Sequence, residues 1–92
     1  MADIRVERAH GLTKEAAMEV ALRVAERLKE KAQLSYRVQG DVIELERTGA
    51  KARIEVGATA FKAEVTLSLL LKPMRGMIEG KIEEYFARYL KP

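Results

Sequence analysis

Residues 34–71 read LSYRVQGDVIELERTGAKARIEVGATAFKAEVTLSLLL, and this stretch decides the fold. Leu34, Tyr36 and Val38 alternate with Ser35, Arg37 and Gln39 and stop at Gly40-Asp41. Ile43 and Leu45 then alternate with Glu44 and Glu46, and Thr48-Gly49 makes a turn. Ala52, Ile54 and Val56 alternate with Lys51, Arg53 and Glu55 as far as the turn Gly57-Ala58-Thr59. Beyond it Phe61, Ala63, Val65, Leu67, Leu69 and Leu71 share one face, while the other begins with Lys62 and Glu64 and ends apolar at Leu70. Period-two alternation marks half-buried strands, and breaks this short join strands that are neighbours in space. The stretch predicts strands over 34–39, 42–47, 51–56 and 60–71, arranged as an antiparallel meander.

On the N-terminal side, Ile4 and Val6 against Arg5 and Glu7 predict a further strand over 3–8. Thr13 stands where an N-cap belongs, and from Lys14 the pattern turns helical. Ala17, Val20, Ala21, Val24, Leu28 and Ala32 recur at three- and four-residue spacing without glycine or proline, which predicts a helix over 14–33. On the C-terminal side Pro73 suits a first helical turn, and Met74, Ile78, Ile82, Tyr85, Phe86 and Tyr89 form the stripe of a helix over 74–90. The expected fold is α+β, in the order β-α-β-β-β-β-α. Its five-stranded sheet, antiparallel or mixed, is curled by twist around the last helix, with both helices on one face. The first strand has to sit at an edge. It is expected beside the long last strand, which offers the most unpaired backbone, rather than parallel to the second strand through the helical crossover.

The 92 residues form one expected domain, 1–92, with 48% hydrophobic and 34% charged residues, a globular mix. The absence of cysteine excludes disulfides, thiolate metal sites and cysteine nucleophiles together, and a single histidine excludes any site with two imidazoles. No apolar run approaches the ~20 residues of a membrane span, and the first residues lack a signal-peptide stretch, so a cytoplasmic location is expected. The net charge of +3 comes from 17 basic and 14 acidic residues. Their signs alternate along the chain instead of clustering, which disfavours nucleic acid as a partner.

Four features could carry chemistry or contacts. His10 is the one imidazole of the chain, the side chain type best suited to general acid–base work, but its place after a strand suits a loop histidine that bonds a turn or packs at the sheet end. Glu44, Glu46, Glu55 and Glu64 interleave with Arg37, Arg53 and Lys62 and read as a solvated cross-strand charge ladder rather than an acid–base pair. Gly76 and Gly80 strip side chains from one side of the last helix; either something approaches there closely, or tertiary packing tolerates them. Finally, Leu70 falls on the outer face of its strand and Met77 at the margin of its helix stripe. With Leu69, Leu71 and Met74 they compose a candidate apolar contact surface, provided that the core or a dimer does not cover it. No metal, cofactor or catalytic constellation is expected.

Two stretches resemble a known family. Ile4-Arg5-Val6-Glu7-Arg8-Ala9-His10-Gly11-Leu12, a long helix and Tyr36 in the next strand are similar to the opening of the small polyhydroxyalkanoic acid system family. Leu70-Leu71-Lys72-Pro73-Met74-Arg75-Gly76, then Ile78-Glu79 and Ile82-Glu83-Glu84-Tyr85, resemble its closing motif, with Gly80 departing from the larger polar residue of the pattern. The resemblance spans nearly the whole chain. It implies association rather than a reaction: members are encoded beside genes for polyhydroxyalkanoate synthesis or breakdown, some are linked to the granule surface, and these polymers are bacterial carbon stores kept in the cytoplasm. The family offers no active-site residues to transfer.

The expected function is therefore a non-enzymatic accessory role, binding a polyhydroxyalkanoate granule or a granule-associated protein through Leu70, Met74, Met77 and the bare Gly76 and Gly80 face. A helix-grip-like carrier of a small acyl ligand is one alternative, although a chain this short leaves little volume for a pocket of ~300 Å³. A nucleic-acid regulator acting through Arg5, Arg37 and Arg53 is another, and a free sheet edge leaves a homodimer open.

Overall fold

The computed structural model describes residues 2–90; Met1, Lys91 and Pro92, placed by the sequence reading in the same domain, lie outside the described residues. The elements run β1 (Ile4–Ala9), α1 (Lys14–Ala32), β2 (Ser35–Gln39), β3 (Val42–Arg47), β4 (Ala50–Val56), β5 (Ala60–Leu67), a 3-10 turn (Lys72–Met74) and α2 (Arg75–Leu90). The sheet order is β1-β5-β4-β3-β2, antiparallel throughout and open. β1 thus lies beside β5, as the surplus of unpaired backbone there predicts, and Ile4 faces Val65 across the pair.

Alternation dictates which face is covered. Ile4, Val6, Ile43, Leu45, Ile54, Val56, Phe61, Ala63, Val65 and Leu67 are buried on the inner face. α1 begins at Thr13, whose hydroxyl accepts the Ala16 N–H at 3.2 Å, and ends at Gln33, which turns left-handed at φ 53° and donates its N–H to Lys29. That left-handed cap ends the helix one residue earlier than predicted. Ala17, Val20, Ala21, Val24 and Ala25 press α1 across β2, β3 and β4; α2 lies beside α1 over β1, burying Ile82, Tyr85 and Phe86. Phe86 reaches β5, its ring 5.0 Å from that of Phe61. These side chains form one core between the sheet and the helices, and both helices lie on one face of the sheet, as expected.

β2 is the least covered strand, with Val38 44% exposed. Its hold on the helix layer comes from Tyr36, whose hydroxyl donates to Glu26 while the Lys29 ammonium sits 5.8 Å from the ring centre. The hydrogen bond to the Glu26 carboxylate, helped by desolvation, raises the Tyr36 phenol above its ordinary value.

One sequence expectation fails here, and its failure shapes the site. The last strand ends at Leu67, not at residue 71. A strand persists only while neighbours supply hydrogen bonds, and both neighbours run out. On one side β4 starts at Ala50, opposite Leu67, and Ser68 N–H makes a last bond to the Gly49 carbonyl. On the other, Asp3 closes the ladder, with its N–H bonded to Val65 O at 2.7 Å and its carboxylate accepting the Leu67 N–H at 2.7 Å.

That Leu67 N–H, with the Lys72 ammonium 3.7 Å away, holds the Asp3 carboxyl below the usual carboxylate range despite some desolvation. A depressed native value stabilises the fold above the ordinary value of 3.8, and the contribution is lost as pH falls through the native one. Asp3→Asn is expected to melt below the parent protein at neutral pH, and melting curves at descending pH should show the gap closing below pH ~4. A gap independent of pH would show that the charge plays no part.

Candidate functional site

Past Leu67 the chain folds back on itself. Leu71 N–H and Lys72 N–H both bond to the Ser68 carbonyl, at 3.0 and 3.1 Å, and Met74 N–H bonds to Leu71 at 2.9 Å. Pro73, inside this 3-10 turn, has no N–H to lose and opens the way into α2. Leu71 returns to the core and seats against the β3–β4 hairpin at Gly49, whose φ of 89° is left-handed; a Cβ there would stand 3.1 Å from the Leu71 side chain.

Leu69 and Leu70 are thrown outward at the apex, 83% and 85% exposed. Met74 and Met77 follow, at 41% and 56%. Two predicted placements are corrected: Leu69 leaves the buried face because its strand has ended, and Met74 leaves the α2 stripe. Met74 belongs to the 3-10 turn, where each residue advances about 120° instead of 100°, so a position on the extrapolated α-helical stripe swings off it. Of the five large exposed apolar residues among those described, four lie between positions 69 and 77; the other, Val38, sits on β2.

Along this apolar stretch the chain carries charge of one sign. Between Ser68 and Ile78 the only charged residues are Lys72 and Arg75. Lys72 is paired with Asp3, whereas Arg75 has no carboxylate within 4 Å among the described residues. Gly76 and Gly80 lie on the solvent side of α2, and a Cβ added to either would meet no atom within 4 Å. Among the described residues none therefore approaches the bare helix face.

The other features singled out by the sequence make their contacts within the fold. His10 Nδ1 accepts the Leu12 N–H at 3.2 Å, which leaves the ring proton on Nε2 to be donated to Gly57 O at 2.9 Å. Its ring packs 4.7 Å from Phe61. Both nitrogens are engaged in pinning the β1–α1 loop to the β4–β5 turn, with no carboxylate partner among the described residues.

On the outer sheet face the register aligns Arg5, Glu64, Arg53, Glu44 and Arg37 in one row across all five strands. Arg5 pairs with Glu64 at 3.4 Å and Arg37 with Glu44 at 2.9 Å. The open trough above this row, about 780 Å³, is lined by both signs. Counting the neighbouring rows, Arg5, Arg37, Lys51, Arg53 and Lys62 face Glu7, Glu44, Glu46, Glu55 and Glu64, so the face is neutral and offers a polyanion no net attraction. No grouping of three or more metal-ligating side chains occurs among the described residues, and none of the described helices is long and apolar enough to cross a membrane.

Comparison with known proteins gives one match. No curated protein and no solved structure matches the chain significantly. A family model described as "Putative polyhydroxyalkanoic acid system protein" matches residues 4–90, from the first residue of β1 to the last of α2. The match takes in both motifs that carried the resemblance, and the chain belongs to the polyhydroxyalkanoic acid system protein family.

Proposed function

We propose that the protein is a non-enzymatic accessory component of the polyhydroxyalkanoate system that attaches to the granule surface or to a granule protein through residues 69–77. The observation that carries this reading is the gathering of Leu69, Leu70, Met74 and Met77 at one exposed apex of a chain whose family is tied to that system. A monomer gains nothing by holding two leucines more than four-fifths exposed; burying each against a partner is worth about 1.5–3 kcal/mol. The engagement of His10 in the fold and the neutral charge ladder support an attachment role over catalysis or nucleic-acid binding. The filled interior supports a surface over an enclosed acyl pocket.

The test is co-sedimentation with isolated granules, native and stripped of their coat. Leu70→Asp and Met77→Glu should each weaken binding at least about tenfold, the equivalent of ~1.4 kcal/mol. Their melting temperatures should stay close to the parent's, because neither side chain contributes to the core. Undiminished binding by both variants would remove this surface from the function.

A further inference from the structure

We infer that the surface formed by Leu69, Leu70, Met74 and Met77 docks on an anionic amphiphile layer, a lipid surface with negative headgroups over apolar chains, with Lys72 and Arg75 meeting the headgroups. This deepens the attachment reading above and rests on it for the surface involved, while naming the chemistry of what the surface meets.

The arrangement of charge selects the partner. Four exposed apolar side chains are interleaved with two cations and no carboxylate between Ser68 and Ile78. The acid that meets Lys72, Asp3, is already committed to Leu67 N–H and to that ammonium. The next along the chain, Glu79, follows Arg75 by four residues on the same side of α2, half-buried, but makes no ion pair with it within 4 Å. A neutral polyester could cover the leucines and methionines, but in place of water it would offer Arg75 only neutral ester carbonyls and no counter-charge. A second copy of the chain, brought face to face, would set Lys72 and Arg75 against their own like charges. An anionic headgroup layer satisfies both halves at once. Apolar side chains enter the acyl boundary, and Arg75 adds roughly fivefold to the affinity at moderate salt, with a smaller share from Lys72, which already faces Asp3. Since no described helix is apolar enough to cross a bilayer, attachment is peripheral.

The experiment is flotation of the full chain with phosphatidylcholine vesicles and with vesicles of phosphatidylcholine and phosphatidylglycerol in roughly equal parts, beside stripped and coated granules. Expected are tenfold or greater preference for the anionic vesicles, weakening at high salt, loss with Leu70→Asp and about fivefold weakening with Arg75→Gln. Arg75→Gln breaks no ion pair among the described residues, so a fold defect is not expected, and an unchanged melting temperature checks this. Equal affinity for both vesicles, or anionic binding indifferent to Leu70→Asp and Arg75→Gln, overturns the inference. Binding to stripped granules without binding to vesicles keeps the attachment reading and overturns the lipid chemistry. Binding to coated granules alone overturns it in favour of an acidic coat protein. Binding to anionic vesicles but to no granule upholds the surface chemistry and overturns the granule role.

Discussion

Phe86→Ala is expected to remove about 3–5 kcal/mol of folding stability. The ring is fully buried and tilts 35° onto Phe61 at 5.0 Å, and Phe61 in turn packs on His10. One side chain thereby couples α2 to β5 and, through it, to the loop that launches α1. Truncation loses the transfer energy of the ring, leaves a cavity between helix and sheet, and forfeits an aromatic pair worth about 0.5–1.5 kcal/mol. A domain of this size buries only roughly 60–65% of its unfolded surface and has in total some 5–15 kcal/mol in hand, so about a fifth of the margin or more goes. At about 4–8 °C per kcal/mol, the thermal midpoint followed by circular dichroism should fall by at least ~12 °C. Phe86→Leu, which keeps most of the volume, should cost under ~1.5 kcal/mol. A midpoint within a few degrees of the parent's for the alanine variant would mean that α2 is not held by this contact, and the outward presentation of residues 69–77 would lose its anchor.

What the sequence shows and what it conceals follow one physical line. Alternation in Ile43–Leu45, Ile54–Val56 and Phe61–Leu67 reports which side chains are buried, and the structure buries all of them. The edge position of β1 was legible because backbone donors and acceptors on the longest strand need partners. The end of that strand was not. Leu69 and Leu71 keep the parity of Phe61, yet parity is a property of the chain, whereas a strand's length depends on its neighbours, here Asp3 and Gly49. The exposure of Leu70 and Met77 could be read as a break in parity and stripe; that of Leu69 and Met74 could not, because it follows from a strand end and a 3-10 turn that leave no periodic trace. The charge ladder was visible as alternating signs, but its single row from Arg5 to Arg37 exists only once register is set. Likewise Gly76 and Gly80 announce a bare helix face without saying whether the chain itself fills it.

That open face leads to an expected gain of stability. Glycine in a helix interior costs about 0.8–1 kcal/mol relative to alanine, chiefly through the extra freedom it has to lose on folding. The penalty is usually offset by something only glycine allows, a left-handed backbone or a close approach. Neither applies: both residues are helical, neither has a positive φ, and an added Cβ would meet no atom within 4 Å. Gly80, well inside α2, should give back most of that cost when replaced. Gly76 stands near the helix start, where fewer hydrogen bonds depend on it, and should give back less. Gly76→Ala with Gly80→Ala is therefore expected to stabilise the protein by about 1–2 kcal/mol and to raise the thermal midpoint by roughly 5–15 °C. Binding measured on the same protein separates the two explanations for the glycines. If the bare face is merely tolerated, the stabilised variant should bind granules and anionic vesicles as the parent does. If a partner lies against the backbone beside Met77, two methyl groups should weaken binding while stability rises, a combination that damage to the fold cannot produce. A fall in the midpoint would contradict the premise that the face is open, because only an unseen contact within the folded chain could turn these alanines into a cost.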